Sequence, residues 1–297
     1  MKLFLPDVTL CAVTAVNYEL TIRAMNACLA HADFADVVMI TAHQVDAPFR
    51  VVVAPNFSGR DYAPFVCRNL TRYTSSSHNL LVQYDGYIVD PLAWSDRFLE
   101  YDYIGAPWPW HPEGRRVGNS GFCLRSKRLL DLMAEMPLPP TGEFVDDVYV
   151  CHTVREPLEK NFGIQFAPEE VANRFSYERR IPDKRSFGFH GLFNFWRHVD
   201  DSEMEHLHMQ LDDMYVQSRA FAEVLFTYHD ARKFRVFRSW YARLRTQFGA
   251  ERVRDHLLQY LKNPAFIEAL IAGGEGVCAA DDRTEIHAVK CEEAAAG

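Results

Sequence analysis

Apolar and polar positions alternate in regular blocks over the first ninety residues and lose that regularity afterwards. Residues 8–16 form an almost unbroken β-rich apolar run, the mark of a strand buried on both faces. Tyr18–His31 follows with apolar positions at Leu20, Ile22, Ala24, Met25 and Cys28 and with Asn17 in the N-cap position, which predicts a helix. Residues 36–41 and 50–54 predict two short strands, 61–73 a second helix, and 78–84 a fourth strand that ends on Asp85-Gly86. Strands alternating with helices predict an α/β fold with a mostly parallel, Rossmann-like central sheet and flanking helices. Ligands of such sheets bind beyond the carboxyl ends of the strands, which places Thr14, Val16, Asn17 and Asp85 on one rim.

After residue 90 the alternation weakens. Residues 124–136 read as a helix closed by Pro137, and 146–153 as another that starts on an acidic turn. Residues 174–195 are irregular, aromatic and basic. The stretch 201–262 carries amphipathic helical spacing, and 273–297 is rich in Gly, Ala and acids without hydrophobic periodicity. The expected organisation is a catalytic domain over 1–200, a C-terminal helical region over 201–272, and a disordered tail over 273–297. A chain of 297 residues can bury a sizeable core. Its net charge of -8 argues against a general nucleic-acid binder, which needs a basic surplus. Seven cysteines without C-x-x-C spacing read as reduced thiols of a cytoplasmic protein. Pro6 and Asp7 interrupt any signal-peptide core, and no apolar run reaches the length of a membrane span.

The candidate chemistry gathers between residues 83 and 190. Asp85 at a strand end, followed by Gly86, suits a hard divalent cation that bridges two phosphates; the alternative is a turn aspartate bonding its own backbone. Gly118-Asn119-Ser120-Gly121 offers close backbone approach and short polar side chains, or is a plain connecting turn. Asp146-Asp147 at a helix start can supply a base for a hydroxyl proton, or can merely cap the helix. His190, set among Phe187-Gly188-Phe189-His190-Gly191, can reach a metal as a neutral imidazole or pack as an ordinary core histidine. Arg179, Arg180, Lys184 and Arg185 suit phosphate oxygens, or form a solvated basic loop. Trp108-Pro109-Trp110-His111 is either a pocket wall or a plug beneath a loop. His206 and His208, two apart on a helix, read as surface residues.

Taken in order, Leu81-Val82-Gln83-Tyr84-Asp85-Gly86, Trp94, residues 101–108, Gly118-Asn119-Ser120-Gly121-Phe122, Asp146-Asp147-Val148-Tyr149 and Phe189-His190-Gly191 resemble the DUF5672 family, over roughly residues 8–195. That family is similar to GT-A glycosyltransferases. The resemblance implies a GT-A-like fold, a nucleotide-diphosphate sugar as donor, most often a UDP-sugar, and Mn²⁺ or Mg²⁺. It implies that Gln83-Tyr84-Asp85 stands at the Asp-x-Asp motif, with Gln83 in place of the first acid, and that Asp85 and His190 hold the metal. Gly118, Asn119, Ser120 and Gly121 would receive the donor sugar together with Trp108. Thr14, Val16 and Asn17 would lie near the base, and Tyr84, Gly86 and Arg185 beside the diphosphate. Asp146-Asp147 would stand at the acidic pair whose second member is the base of an inverting hexosyl transfer to a hydroxyl acceptor. Two rivals are a nucleotidyltransferase on sugar phosphates and a non-catalytic sugar- or nucleotide-binding module. The first is disfavoured because residues 13–18 contain neither Gly nor a basic side chain.

Overall fold

Six strands build the central sheet, in the order β3-β2-β1-β4-β7-β6, of a computed structural model that describes residues 2–54, 57–139 and 145–276. These are β1 (Leu3–Thr14), β2 (Ala32–Thr41), β3 (Arg50–Val53), β4 (His78–Val82), β6 (Tyr103–Ile104) and β7 (Phe122–Ser126). The first four run parallel, with Ala12 beside Val82 and Thr14 beside Thr41; β7 alone runs against its neighbours β4 and β6. The mostly parallel α/β fold expected from the alternating pattern is therefore present. A second sheet, in the order β5-β9-β8, joins β5 (Gly86–Ile88), β8 (Ser176–Tyr177) and β9 (Gly188–His190).

Helix α1 (Tyr18–His31) has the expected bounds and buries Leu20, Thr21, Ala24, Met25 and Cys28. Asn17 precedes it without capping through its side chain: its φ of 53° is left-handed, a conformation that Asn tolerates better than most residues. The expected second helix splits into α2 (Tyr62–Arg68) and a 3-10 turn, Leu70–Tyr73. The expected helix over 124–136 begins too early. Phe122, Cys123, Leu124, Arg125 and Ser126 are a fully buried strand between β4 and β6, and only Lys127–Glu135 is helical (α3). A short apolar run cannot be assigned by periodicity alone. The boundary is set by Ser126, whose hydroxyl accepts from the Leu129 amide as a cap.

Helix α4 (Asp146–Val148) runs on into a π-helical turn, Tyr149–Thr153, followed by α5 (Arg155–Phe162) and α6 (Glu169–Phe175). The described residues divide into two units, the first ending at Gly191 and the second beginning at Leu192. The second unit is helical: α7 (Asp201–Leu207), α8 (Asp213–Val216), α9 (Arg219–Asp230), α10 (Phe234–Phe248) and α11 (Ala250–Tyr260). Its core is aromatic, with Phe221 4.9 Å from Trp240, whose indole donates to the Met204 carbonyl at 2.8 Å. His208, expected on the surface, is buried there and bonds the Ser239 hydroxyl at 2.6 Å. Residues 264–276 are helical and include the start of the expected tail; 277–297 lie outside the described residues. No described helix is long and apolar enough to cross a membrane.

Candidate active site

The small sheet lines up three titratable side chains. Gly86 pairs with His190 across antiparallel β5 and β9, which sets Asp85 beside the imidazole. Tyr177 pairs with Phe189 across parallel β8 and β9, and Glu178, the first residue after β8, lies near His190. The His190 Nε2 lies 3.2 Å from Asp85 Oδ1, and its Nδ1 lies 3.5 Å from Glu178 Oε1. The Gly191 amide donates to the Asp85 carbonyl at 2.9 Å and pins the row. Burial alone would lower the imidazole's pKa; Asp85, then Glu178, outweigh it and push it up to about 10. Burial likewise opposes ionisation of Glu178, but its hydrogen bond with His190 and that charge hold it below the usual carboxylate range. Glu178 escaped the sequence reading because an acid followed by Arg179-Arg180 looks like part of a solvated charge run.

The Gly118–Gly121 loop is shaped by the protein's own packing. A Cβ at Gly121 would lie 2.0 Å from His190 Nε2, and one at Gly118 would lie 2.4 Å from the Trp108 ring. Between them, Asn119 has a φ of 64° and folds its Oδ1 back onto the Gly121 amide at 3.0 Å. Its Nδ2 lies 2.9 Å from His190 Nδ1. Trp108 is buried and stacks on His152 with ring centroids 5.4 Å apart. Trp108 is not among the residues that line the cavity beside Asp146 and Asp147.

The adjacent acids Asp146 and Asp147 have different surroundings. Asp146 is 1% exposed; its Oδ2 accepts from Arg125 at 2.6 Å and its Oδ1 from the Ser120 hydroxyl at 3.0 Å. Among the described residues Asp147 accepts backbone amides alone, from Ser120 at 3.1 Å and Val148 at 2.7 Å. Burial, then the neighbouring Asp146 charge, push its carboxyl up to about 7. Both acids line a cavity of ≈ 950 Å³ together with Gln83, Ser120, Gly121 and His190. Gln83 donates from Nε2 to the Tyr62 hydroxyl at 2.8 Å.

Not every expected residue reaches that cavity. Thr14, at the end of β1, and Val16 and Asn17 just after it are not among the cavity's lining residues; the Thr14 hydroxyl is turned onto the Val16 carbonyl. Tyr84, Asp85 and Gly86 are buried in the turn after β4, with His190 rather than Asp85 at the cavity wall. Arg185 lies with Arg174, Arg180 and Lys184 on a separate cavity of ≈ 480 Å³, 3.5 Å from Asp90.

Asp85 and His190 fit a divalent cation in donor type and spacing. Two cis ligands of an octahedral ion with 2.1 Å bonds stand about 3.0 Å apart, close to the observed 3.2 Å. Among the described residues no group of three His, Cys, Asp or Glu side chains completes a metal set. The other positions would fall to water and to ligand oxygens, as is usual for Mg²⁺.

Residues 60–190 match the model of a family described as "Protein of unknown function (DUF5672)", a span that holds nearly all the motifs named above. No curated protein matches the chain. Among solved structures, the 1–349 fragment of S. aureus TarS aligns over 94% of this chain and 92% of its own at 14% identity, with a TM-score of 0.41. The mannosyltransferase PcManGT from Pyrobaculum calidifontis, in complex with GDP-Man and Mn²⁺, aligns over 92% of this chain and 80% of its own at 12% identity, with a TM-score of 0.38. The fold class itself rests on the strand order and directions described above.

Proposed function

We propose that the protein is a metal-assisted glycosyltransferase that moves a sugar from a nucleotide-diphosphate donor to a hydroxyl acceptor with inversion. The observation that carries this reading is Asp147. It is a buried carboxyl poised at about 7, on the wall of a cavity that it shares with the imidazole of the Asp85–His190 pair. A general base works best when its pKa lies near the operating pH. Asp147 takes the proton of the acceptor hydroxyl as that oxygen attacks the anomeric carbon. The Ser120 and Val148 amides hold the carboxylate in place. Asp85 and His190 would hold the divalent ion, whose charge would offset that of the departing diphosphate. Ser120 and Gly121 line the sugar's side of the cavity, and its walls fix the reacting groups in proximity. UDP-sugars are the first donors to try.

The test is a melting panel of UDP-, GDP-, CMP- and dTDP-sugars with and without Mn²⁺, followed by product analysis. A ligand that binds only the native state raises the melting temperature. The expected result is a Mn²⁺-dependent shift with one nucleotide class, lost in Asp85→Ala, and release of a nucleoside diphosphate. Release of pyrophosphate would instead identify a nucleotidyltransferase, and binding without any product a sugar-binding module. Either result would end the transferase reading.

A further inference from the structure

Glu178 has no role in the reaction outlined above, yet it is a buried acid whose carboxylate lies 3.5 Å from His190 Nδ1 and 3.8 Å from Arg179. The register of the neighbouring strands brings it there: β8 and β9 run parallel with the pairs Ser176–Gly188 and Tyr177–Phe189, and Glu178 is the first residue after β8. The imidazole thus has a different carboxylate on each nitrogen, Asp85 at Nε2 and Glu178 at Nδ1. A histidine that binds a metal through one nitrogen commonly donates the other N–H to a carboxylate, which fixes tautomer and ring orientation.

A second contact competes for the same nitrogen. Asn119 Nδ2 also reaches His190 Nδ1, at 2.9 Å, while its Oδ1 is occupied by the Gly121 amide. Nδ1 can accept from Asn119 only when it carries no hydrogen, and in the neutral ring that puts the hydrogen on Nε2 and blocks it as a ligand. Nδ1 can serve Glu178 only as a donor, and in the neutral ring that leaves the Nε2 lone pair open beside Asp85.

We propose that Glu178 is a positioning residue of the cation site: it accepts the Nδ1–H of His190 against the competing Asn119 amide and so presents Nε2, beside Asp85, to a divalent ion. This inference rests on the metal-assisted reading above. On it, Glu178 acts through His190 and touches neither donor nor acceptor.

The experiment titrates Mn²⁺ alone into the full chain, with free ion read by electron paramagnetic resonance, for wild type, Asp85→Ala, Glu178→Gln and Glu178→Ala. Far-ultraviolet circular dichroism reports whether each variant is folded. The ¹⁵N shifts of His190 in histidine-labelled protein with Mg²⁺ report which ring nitrogen carries the hydrogen. The expected result is Mn²⁺ binding about 10–100-fold weaker in Glu178→Ala. Glu178→Gln, which keeps the shape and an acceptor oxygen, should lie between the two. In wild type with Mg²⁺ the hydrogen should sit on Nδ1, and in Glu178→Ala on Nε2. Wild-type binding that depends on Asp85 but is unchanged in both Glu178 variants would overturn the positioning role while leaving the metal site standing. No Mn²⁺ binding by wild type would overturn the metal reading and this inference with it. If Glu178→Ala is unfolded, Glu178→Gln with the ¹⁵N readout decides.

Discussion

Two regions of the first unit bury carboxylates, and they do so on opposite terms. Around Asp146 the acid is matched: Arg125 takes one oxygen, the Ser120 hydroxyl the other, and the pair is 1–2% exposed. Around the row formed by Asp85, His190 and Glu178, with Asp147 on the same cavity wall as His190, three carboxyls stand against one imidazole. The first region is electrostatically complete. The second joins its acids through one imidazole, with Arg179 3.8 Å from Glu178, and opens onto a cavity where a divalent ion and an anionic leaving group can be accommodated. Buried acids alone do not mark an active site. Those with perturbed proton affinities beside a cavity do.

The sharpest way to break this comparison is to exchange the behaviour of its two neighbouring acids. Asp147→Asn should lower kcat by about 10²–10⁴-fold, the usual worth of a positioned base, while leaving donor binding in place. Steady-state release of nucleoside diphosphate measures the first, and a donor melting shift the second. The wild-type rate should rise with pH through about 7 as Asp147 loses its proton, and the residual rate of the variant should lack that step. Normal turnover by Asp147→Asn, or a product that retains the donor's anomeric configuration, would remove the base from the mechanism.

The matched region should fail differently. Arg125→Ala leaves Asp146 buried beside no cation, and breaking such a pair costs about 3–5 kcal/mol of stability. Denaturant unfolding checks it. Replacing both partners with apolar residues, Arg125→Met with Asp146→Leu, should recover most of that loss, because removing both charges removes the demand for compensation. If the double variant is folded yet inactive, Asp146 contributes more than scaffolding.

How much of this was legible in the sequence depended on local context. Asp85, Gly118, Asp147 and His190 stood out because glycines and acids at predicted strand and helix ends are few and chemically pointed. The roles of the two loop glycines did not show: Gly118 makes room for Trp108 and Gly121 for His190, partners found only across the fold. Glu178 was hidden for the same reason, since its meaning comes from His190, which the pairing of the preceding β8 with β9 brings near it. The strand Phe122–Ser126 was misread because Leu124 and the apolar residues of α3 together mimic one helical face. Sequence spacing reports faces of one element; register between elements, which aligns Asp85, His190 and Glu178, is a property of the sheet.

The last expected effect lies in the same Asp147→Asn variant, read for stability instead of rate. In the unfolded chain the Asp147 carboxyl titrates near 3.8, and in the folded protein at about 7. Between those values the folded state keeps a proton that the unfolded state has released. Asp147 therefore favours folding fully below about 4, and that contribution is lost as pH rises to about 7. Above 7 both states are ionised and the cost is constant. An asparagine cannot ionise, so the stability difference between variant and wild type should move in the variant's favour from pH 4 to pH 7 and then level. Each tenfold difference in proton affinity is worth about 1.4 kcal/mol. The loss of one of the two oxygens that accept the Ser120 and Val148 amides offsets about 1 kcal/mol at every pH. The slope, which that offset does not touch, is the quantity to measure by melting at a series of pH values. A flat difference would mean that Asp147 is ionised throughout, matched by a cation like its neighbour, and the contrast between the two acids would be gone.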